Sequence, residues 1–336
     1  RVGRSGFLPD RTVHLHPLDR CNLACSHCYS LSSPLKQTIL PIDPLLVALP
    51  RLRAEGYEVL SLSGGEPLLY PHLPQLLAAA RAQGFRTAAI SNGFRVNPRH
   101  HDLIMAIDRI AISFDGLEAG HNRIRGNPRA WDRAIAGLQY LVRIGKPAAA
   151  AFTVTRDSLA EVPDFVEQCA GLGVRAVQLR PLVMAGRAPE EAANLALSEA
   201  DLARLWLLAQ TLELAWEGEV AVHVDLAPAE ALVADAAAWE LALRGAEDQR
   251  LSDAVNPLVI TPEGLLRPYT YDFPKEFDLG HLQDLAPGRR VWIALGLPRL
   301  RRLLVRTLHA AGLEDGFLDW FAFQRDQARM THRATA

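Results

Sequence analysis

Cys21, Cys25 and Cys28 lie at C-x3-C-x2-C spacing in the run Cys21-Asn22-Leu23-Ala24-Cys25-Ser26-His27-Cys28-Tyr29. A loop that short can aim three thiolates at one point. Structural zinc takes four closed ligands and ordinary iron–sulfur clusters take four cysteines, so three is an incomplete set for either. On a four-iron cluster, three thiolates leave one iron open to a ligand that is not protein. A zinc site completed by His27 or His16 is the alternative use of the same residues, although zinc ligands usually come as two separated pairs. A disulfide framework is disfavoured, because three clustered thiols cannot all pair and no signal peptide precedes them.

One strand later comes Gly64-Gly65-Glu66-Pro67, directly after the apolar run Val59-Leu60-Ser61-Leu62-Ser63. Two glycines let backbone approach a ligand closely, and the carboxylate beside them can accept from an ammonium group. Taken alone, the run reads equally well as a plain turn between strand and helix. With the cysteine spacing one strand earlier, the chain resembles the radical S-adenosylmethionine (SAM) superfamily.

That resemblance implies one [4Fe–4S] cluster on Cys21, Cys25 and Cys28. SAM would chelate the open iron through its methionine amino and carboxylate groups. Reductive cleavage of SAM would then give a 5′-deoxyadenosyl radical that abstracts hydrogen from a substrate. The resemblance further places Gly64, Gly65, Glu66 and Pro67 at the SAM amino group, and Ser91 and Asn92 toward SAM. It puts Ser113 and Asp115 at ribose-facing positions. Arg125 is implied to pair with the SAM carboxylate, where bidentate geometry suits arginine; Arg123 is its rival. His27 stands where the family usually has an aromatic near adenine, with Leu179 and Leu182 as the apolar side of that pocket. An electron donor such as flavodoxin or ferredoxin is implied as well.

The elements that must position these residues alternate regularly. Strands are expected over Thr12–His16, Val59–Ser63, Arg86–Ser91, Arg109–Phe114, Ala148–Val154 and Ala176–Arg180. Helices fall between them: one opened by Asp43 as N-cap with Pro44 at the first position and Pro50 as a kink, one over about 73–83, one over about 129–144, and one opened by Asp157 or Ser158. Six such units mean right-handed crossovers and a parallel sheet. The candidate site residues fall at strand C-terminal ends, where parallel barrels carry their active sites. The expected fold is α/β, a partial (β/α)6 TIM-like barrel over residues 1–190, with a smaller α+β extension over residues 191–336. In that extension Ser198 should cap a long helix to about Glu217, residues 220–225 should form a strand, and residues 256–268 a hairpin turning at Pro262-Glu263-Gly264. The last fifty or so residues read as helical, with Arg299, Arg301, Arg302 and Arg306 on a solvated face.

The hairpin, then Arg267-Pro268 and Leu279-Gly280-His281, carries a second resemblance, to the SPASM extension of peptide-modifying radical SAM enzymes. There a cysteine that binds an auxiliary cluster normally follows the proline; here the residue is Tyr269, and no cysteine follows Cys169. The extension is therefore expected to hold no auxiliary cluster through cysteine. Cys169 itself reads as a small buried hydrophobe. Near the hairpin, Asp225, Tyr269 and Tyr271, with His223, are candidate acid–base groups or hydrogen donors. Arg156 and Arg180 at strand ends come next.

The expected substrate is a peptide side chain. The chain begins about ten residues before the first strand, which leaves no room for an N-terminal leader-binding domain and favours the alternative, epimerisation or dehydrogenation of a sugar or natural-product intermediate. A non-enzymatic, metal-stabilised interaction module is the remaining possibility, and it would have no need of a SAM pocket. Hydrophobic content of 49% with a formal charge of −2 gives no pull toward nucleic acid. No apolar run approaches a membrane span. Reduced thiols without a targeting segment indicate the cytoplasm.

Overall fold

A computed structural model describes residues 10–234, 236–245, 249–285 and 296–333. Seven parallel strands form the body of the sheet: β1 (Thr12–Leu15), β2 (Val59–Leu62), β3 (Arg86–Ser91), β4 (Arg109–Phe114), β5 (Ala148–Val154), β6 (Ala176–Pro181) and β7 (Ala221–Val224), each hydrogen-bonded to the next. The six expected strands are all present, and β7 continues them past residue 190 in parallel register, with Val177 opposite Val222. The C-terminal strands join the other edge. After the short β8 (Ala227–Pro228), β9 (Leu258–Ile260) runs parallel to β1 with Leu15 opposite Ile260. β10 (Leu265–Pro268) returns antiparallel to β9, and β11 (Gly280–His281) completes a ten-stranded sheet. The architecture is a partial TIM-like α/β barrel with added C-terminal elements.

Helices α1 (Ile42–Ala54), α2 (Leu73–Ala82), α3 (His101–Ala106), α4 (Glu118–Arg125), α5 (Ala130–Arg143), α6 (Val162–Leu172), α7 (Ala188–Glu191) and α8 (Glu199–Ala215) follow in turn. Strand alternation decides what faces them. Leu15, Leu60, Leu62, Ile110, Ile112, Phe114, Phe152, Val154, Val177 and Leu179 are buried in one core with helix residues such as Leu45, Leu76, Leu138 and Phe165. The alternate positions carry His14, Ser63, Ala88, Ala111, Ser113, Ala149, Gln178 and Arg180, all part-exposed. A closed eight-stranded barrel fills its interior with bulky branched residues. Here the inner face is small or polar, which leaves room for ligands. Burial, joined by the Arg180 charge on β6, pushes the His14 imidazole on β1 down to about 4.

Local details differ from expectation at helix ends. Asp43 does not cap α1: the helix starts at Ile42 after Pro41 with no side-chain cap, and Asp43 sits in its first turn beside the helix dipole's positive end. α6 follows a 3-10 turn over Leu159–Glu161, so neither Asp157 nor Ser158 opens it directly, and it ends at left-handed Gly173. Pro50 lies inside α1. The C-terminal region holds the helices Leu297–Ala311 and Trp320–Arg333, with Phe317–Leu318 between them pairing antiparallel with β8. Positions 286–295 and 334–336 of the expected helical tail lie outside the described residues.

Ser198 does cap α8: its Oγ accepts from Asp201 N, and the Asp201 carboxylate accepts from Ser198 N at 3.0 Å. Because this capping box satisfies two otherwise orphan donors, Ser198→Ala should cost about 1 kcal/mol in urea unfolding. Reconstituted iron content should stay unchanged.

Candidate active site

The cysteines sit on the long connection from β1 to α1, which has little regular structure of its own, so neighbouring strand ends hold it. At the end of β2, Gly65 N donates to Leu18 O and Glu66 N to Arg20 O, both at 3.0 Å. Gly65 is required there: a Cβ would lie 2.0 Å from the Arg20 carbonyl oxygen. Gly64 adopts φ +99, and its Cβ would meet Leu18 O at 2.9 Å. The double glycine thus docks the start of the cysteine loop as well as opening space beside it.

From the opposite side, the segment after β6 grips the loop's middle. Arg187 donates from its backbone N to Cys28 O, from Nε to Cys25 O at 2.9 Å, and from Nη2 to Ser32 O at 2.8 Å. Gly186, at φ +59, packs so tightly that a Cβ would lie 2.1 Å from Cys28 O. These two residues were not singled out in the sequence. A glycine and an arginine just past a strand carry no motif, and only the contact reveals the clamp.

The three thiols are free and half-exposed. Burial and the Glu66 charge push Cys21 up to about 12, and burial pushes Cys25 up to about 11; their neighbouring thiols add to both rises. Such thiols ionise only when a cation takes the place of the proton, as in metal or cluster ligation. No three His, Cys, Asp or Glu side chains among the described residues converge closely enough to hold a single metal ion. His27 is committed to Asp115, and His16 is stacked on Tyr271. A donor set of three separate thiols suits a polynuclear cluster. Cys169 is buried in α6, away from this loop.

Glu66 is buried, and its carboxylate accepts from Ser91 Oγ at 2.9 Å, Leu68 N at 3.2 Å and Asn92 N at 2.9 Å. Burial raises its pKa and these bonds oppose the rise. An ionised carboxylate has about four acceptor positions, so one remains for an ammonium group. Ser91 is turned onto Glu66, and Pro67 begins the 3-10 turn that Glu66 caps. Asn92 reaches the cysteine loop itself: its Nδ2 donates to Cys21 Sγ at 3.7 Å and to Asn22 Oδ1 at 2.8 Å.

Asp115, at the end of β4, has no exposed surface. Its Oδ1 lies 2.6 Å from His27 Nε2, and its Oδ2 accepts from Arg125 Nε at 2.6 Å. Although burial opposes ionisation, the Arg125 and His27 charges and the His27 hydrogen bond hold its carboxyl well below the usual range. Asp115, Arg125 and His27 were expected to face ribose, carboxylate and adenine separately; the structure brings them together as one buried triad. Arg125 nevertheless lies within electrostatic reach of Cys25 and Cys21. Arg123 pairs with Asp157 on the surface, 2.7 Å apart and well away from the triad. Ser113 faces the inner side of β4, half-buried.

Leu179 is a correction. It shares the outward side of β6 with Val177 and is fully buried in the helix-facing core, because alternate strand residues point to opposite faces. Gln178 and Arg180 face inward in its place. Leu182 lies elsewhere, in a small apolar cluster with Ile124, whose carbonyl accepts from Ser26 N beside the cysteines.

Across the mouth, Tyr271 stacks on His16 with ring centroids 4.6 Å apart and meets Tyr29 edge-on. Tyr29 Oη pairs with Ser63 Oγ at 2.9 Å. Asp225 accepts from Gln178 Nε2 at 2.8 Å and lies 3.0 Å from Arg180 Nε, while Arg180 Nη2 donates to the Gln178 side chain. Asp319 was not anticipated; one of its oxygens caps the helix Trp320–Arg333, and burial with the Asp225 charge pushes its carboxyl up to about 6. Tyr269 is turned away into the core, packed on Phe273 and Phe321, with its hydroxyl on Ala254 O at 3.1 Å.

Residues 15–169 match the family model of the radical SAM superfamily. The chain is 34% identical to the pre-heme d1 synthase of Dinoroseobacter shibae over 50% of this chain and 42% of that one. It is 27% identical to the sporulation killing factor maturation protein SkfB of Bacillus subtilis, over 51% and 42%. This chain thus covers less than half the length of either relative. The fold is shared with native anSMEcpe bearing AdoMet and the Cp18Cys peptide, at a TM-score of 0.65 and 14% identity over 87% of this chain and 82% of that one. The radical SAM domain implies SAM and a [4Fe–4S] cluster as cofactors. The three free thiols, the open acceptor position on Glu66 and the Arg125 cation fit that pair.

Anaerobic reconstitution should therefore give about four irons per chain with matching sulfide. Loss of the cluster is expected for alanine at Cys21, Cys25 or Cys28 and not for Cys169→Ala; stoichiometric zinc without sulfide would contradict this. Asp115→Asn strands the buried Arg125 charge, so urea unfolding of that variant should show a loss of about 3–5 kcal/mol.

Proposed function

We propose that the radical SAM domain formed by residues 15–169 makes this chain an enzyme that modifies a peptide side chain by hydrogen abstraction. With cluster and SAM bound, one-electron cleavage of SAM supplies a 5′-deoxyadenosyl radical. The protein's own part is positional. Cys21, Cys25 and Cys28 hold the cluster, and Glu66 takes the SAM ammonium with its remaining acceptor position. Arg125, steadied by Asp115, offers its free guanidinium edge to the SAM carboxylate. The observation that carries this reading is the coincidence of three unpaired thiols with Glu66 and Arg125 around one loop.

The substrate would lie over the inner face, between the His16–Tyr29–Tyr271 rings and the Gln178–Arg180–Asp225 group. The likeness to SkfB supports a peptide, and so does the hairpin β9–β10, which is built onto β1 at the edge nearest Tyr271. Asp225 and Tyr271 are the groups placed to exchange protons or hydrogen with it. Tyr269, with its hydroxyl occupied in the core, would act only by supporting the wall behind Tyr271. The likeness to pre-heme d1 synthase, which matches about as much of this chain as SkfB does, favours a second reading, a small-molecule substrate. No described helix is long and apolar enough to cross a membrane, and free thiols suit a reducing cytoplasm.

Dithionite and SAM should yield 5′-deoxyadenosine without substrate, and Asp225→Asn should leave that yield intact. Glu66→Ala should weaken SAM binding by about one to two decades, the value of a charge-assisted hydrogen bond of roughly 1.5–3 kcal/mol, while the cluster is retained. With a peptide encoded beside the gene as probe, wild-type protein should change the peptide's mass and Asp225→Asn should do so much more slowly. Conversion of a small molecule with the peptide untouched would establish the second reading.

A further inference from the structure

An arginine-lined groove lies beside the cluster loop. The segment following β3 and the start of α5 enclose an open cavity of about 610 Å³, whose walls include Phe94, Arg95, Arg99, His100, Arg129 and Arg133. Arg99, Arg129 and Arg133 are exposed. Arg95 donates to Leu68 O at 3.3 Å. None of the four arginines forms an ion pair with a described carboxylate, although Asp102 and Asp132 stand nearby in sequence; elsewhere Arg86, Arg123, Arg267 and Arg325 are all paired. Burial and the Arg95 and Arg99 charges depress the His100 imidazole.

Arg129 and Arg133 also flank the N-terminus of α5, where the helix dipole disfavours cations. Folding alone would not place them there. A net charge near zero for the whole chain makes this concentration local rather than general.

The groove is joined to the cluster loop by a short path. Asn92 donates to Cys21 Sγ, and Asn92 Oδ1 accepts from Phe94 N at 3.2 Å. Two hydrogen bonds therefore lead from Cys21 to the backbone of Phe94, whose residue lines the groove. The proposed reaction needs one electron delivered to the cluster.

We propose that this groove docks a small, acidic, low-potential one-electron carrier protein, which reduces the cluster along the Phe94–Asn92–Cys21 path. The step is a single electron transfer: the carrier is oxidised by one electron and the cluster is reduced by one. The inference rests on the radical SAM reading, and it adds the partner's charge and its docking face. Complementary charge of this kind steers encounter and raises association rates by about 10–10³ at low salt.

The test uses cluster-loaded protein with flavodoxin, a small acidic flavoprotein, as probe. Arg99→Glu combined with Arg133→Glu should weaken flavodoxin binding in calorimetry at least tenfold at low ionic strength. It should slow cluster bleaching by reduced flavodoxin by a similar factor, and flatten the salt dependence seen with wild type. Dithionite, a small reductant that needs no docking face, should bleach both proteins equally. Wild-type rates with flavodoxin in the double variant, or equal losses with both reductants, would overturn the proposal. So would tight pyrophosphate binding in the groove that flavodoxin does not displace, which would mark a small-anion site. Calorimetry reads docking without any turnover. A wild-type protein that binds flavodoxin in a salt-dependent way yet never cleaves SAM would uphold the docking face while removing the radical SAM reading.

Discussion

Three thiols gathered on one irregular loop must be held in place by something other than themselves. Ionised, they repel one another; unligated, burial pushes Cys21 up to about 12 and Cys25 up to about 11. The loop's own backbone bonds at the cysteines are local, Cys21 N to Ser33 O and Cys28 N to Cys25 O, and the rest of its shape is imposed by neighbouring segments. Gly65 and Glu66 fix its start through backbone bonds. Asp115 takes His27 between the second and third cysteines. Arg187 holds the carbonyls of Cys25, Cys28 and Ser32. Each contact comes from the C-terminal end of a different strand or the segment that follows it, and a parallel sheet is the arrangement that puts such ends side by side.

Asp115 shows how far this dependence runs. A buried carboxylate is tolerated only where its charge is answered. Here one carboxylate serves Arg125 on α4 and His27 on the cysteine loop, so α4, β4 and the loop cannot move independently. The same constraint keeps Arg125 facing Cys21 and Cys25, with the guanidinium nitrogens beyond Nε left for an anion. Position and charge of the cofactor pocket thus rest on a structural ion pair, not on ligand contacts alone.

Most of the strand framework was legible in the sequence, because alternation and turn residues are local signals. β3, β4 and β5 match their expected spans, and the capping box at Ser198 was readable from Ser198 and the acidic first turn. What eluded the sequence was set by contacts between distant segments. The clamp of Gly186 and Arg187 on Cys28 joins residues more than 150 positions apart. The side of β6 on which Leu179 lies depends on where the helices pack, and the merger of Asp115, Arg125 and His27 into one triad depends on the curl of α4. A motif names the residue and the strand end. It does not say which neighbour reaches that residue first.

The C-terminal strands carry the last step. β9 pairs with β1 directly beside the cysteine loop, and the turn beyond β10 brings Tyr271 onto His16 and within range of Tyr29. β7 extends the opposite edge and sets Asp225 against Arg180 and Gln178. The two additions therefore supply opposite walls of one space: aromatic on the β1 side, charged on the β6–β7 side. The inner strand faces between them are small. A ligand held there would lie with its apolar part against the rings and its polar part against the Arg180–Asp225 pair, its reacting atom over the cysteine loop. Such a division of walls suits an extended peptide, whose side chain and backbone can be recognised separately, and under the proposed function the C-terminal half would then contribute to the substrate site rather than stand apart from it.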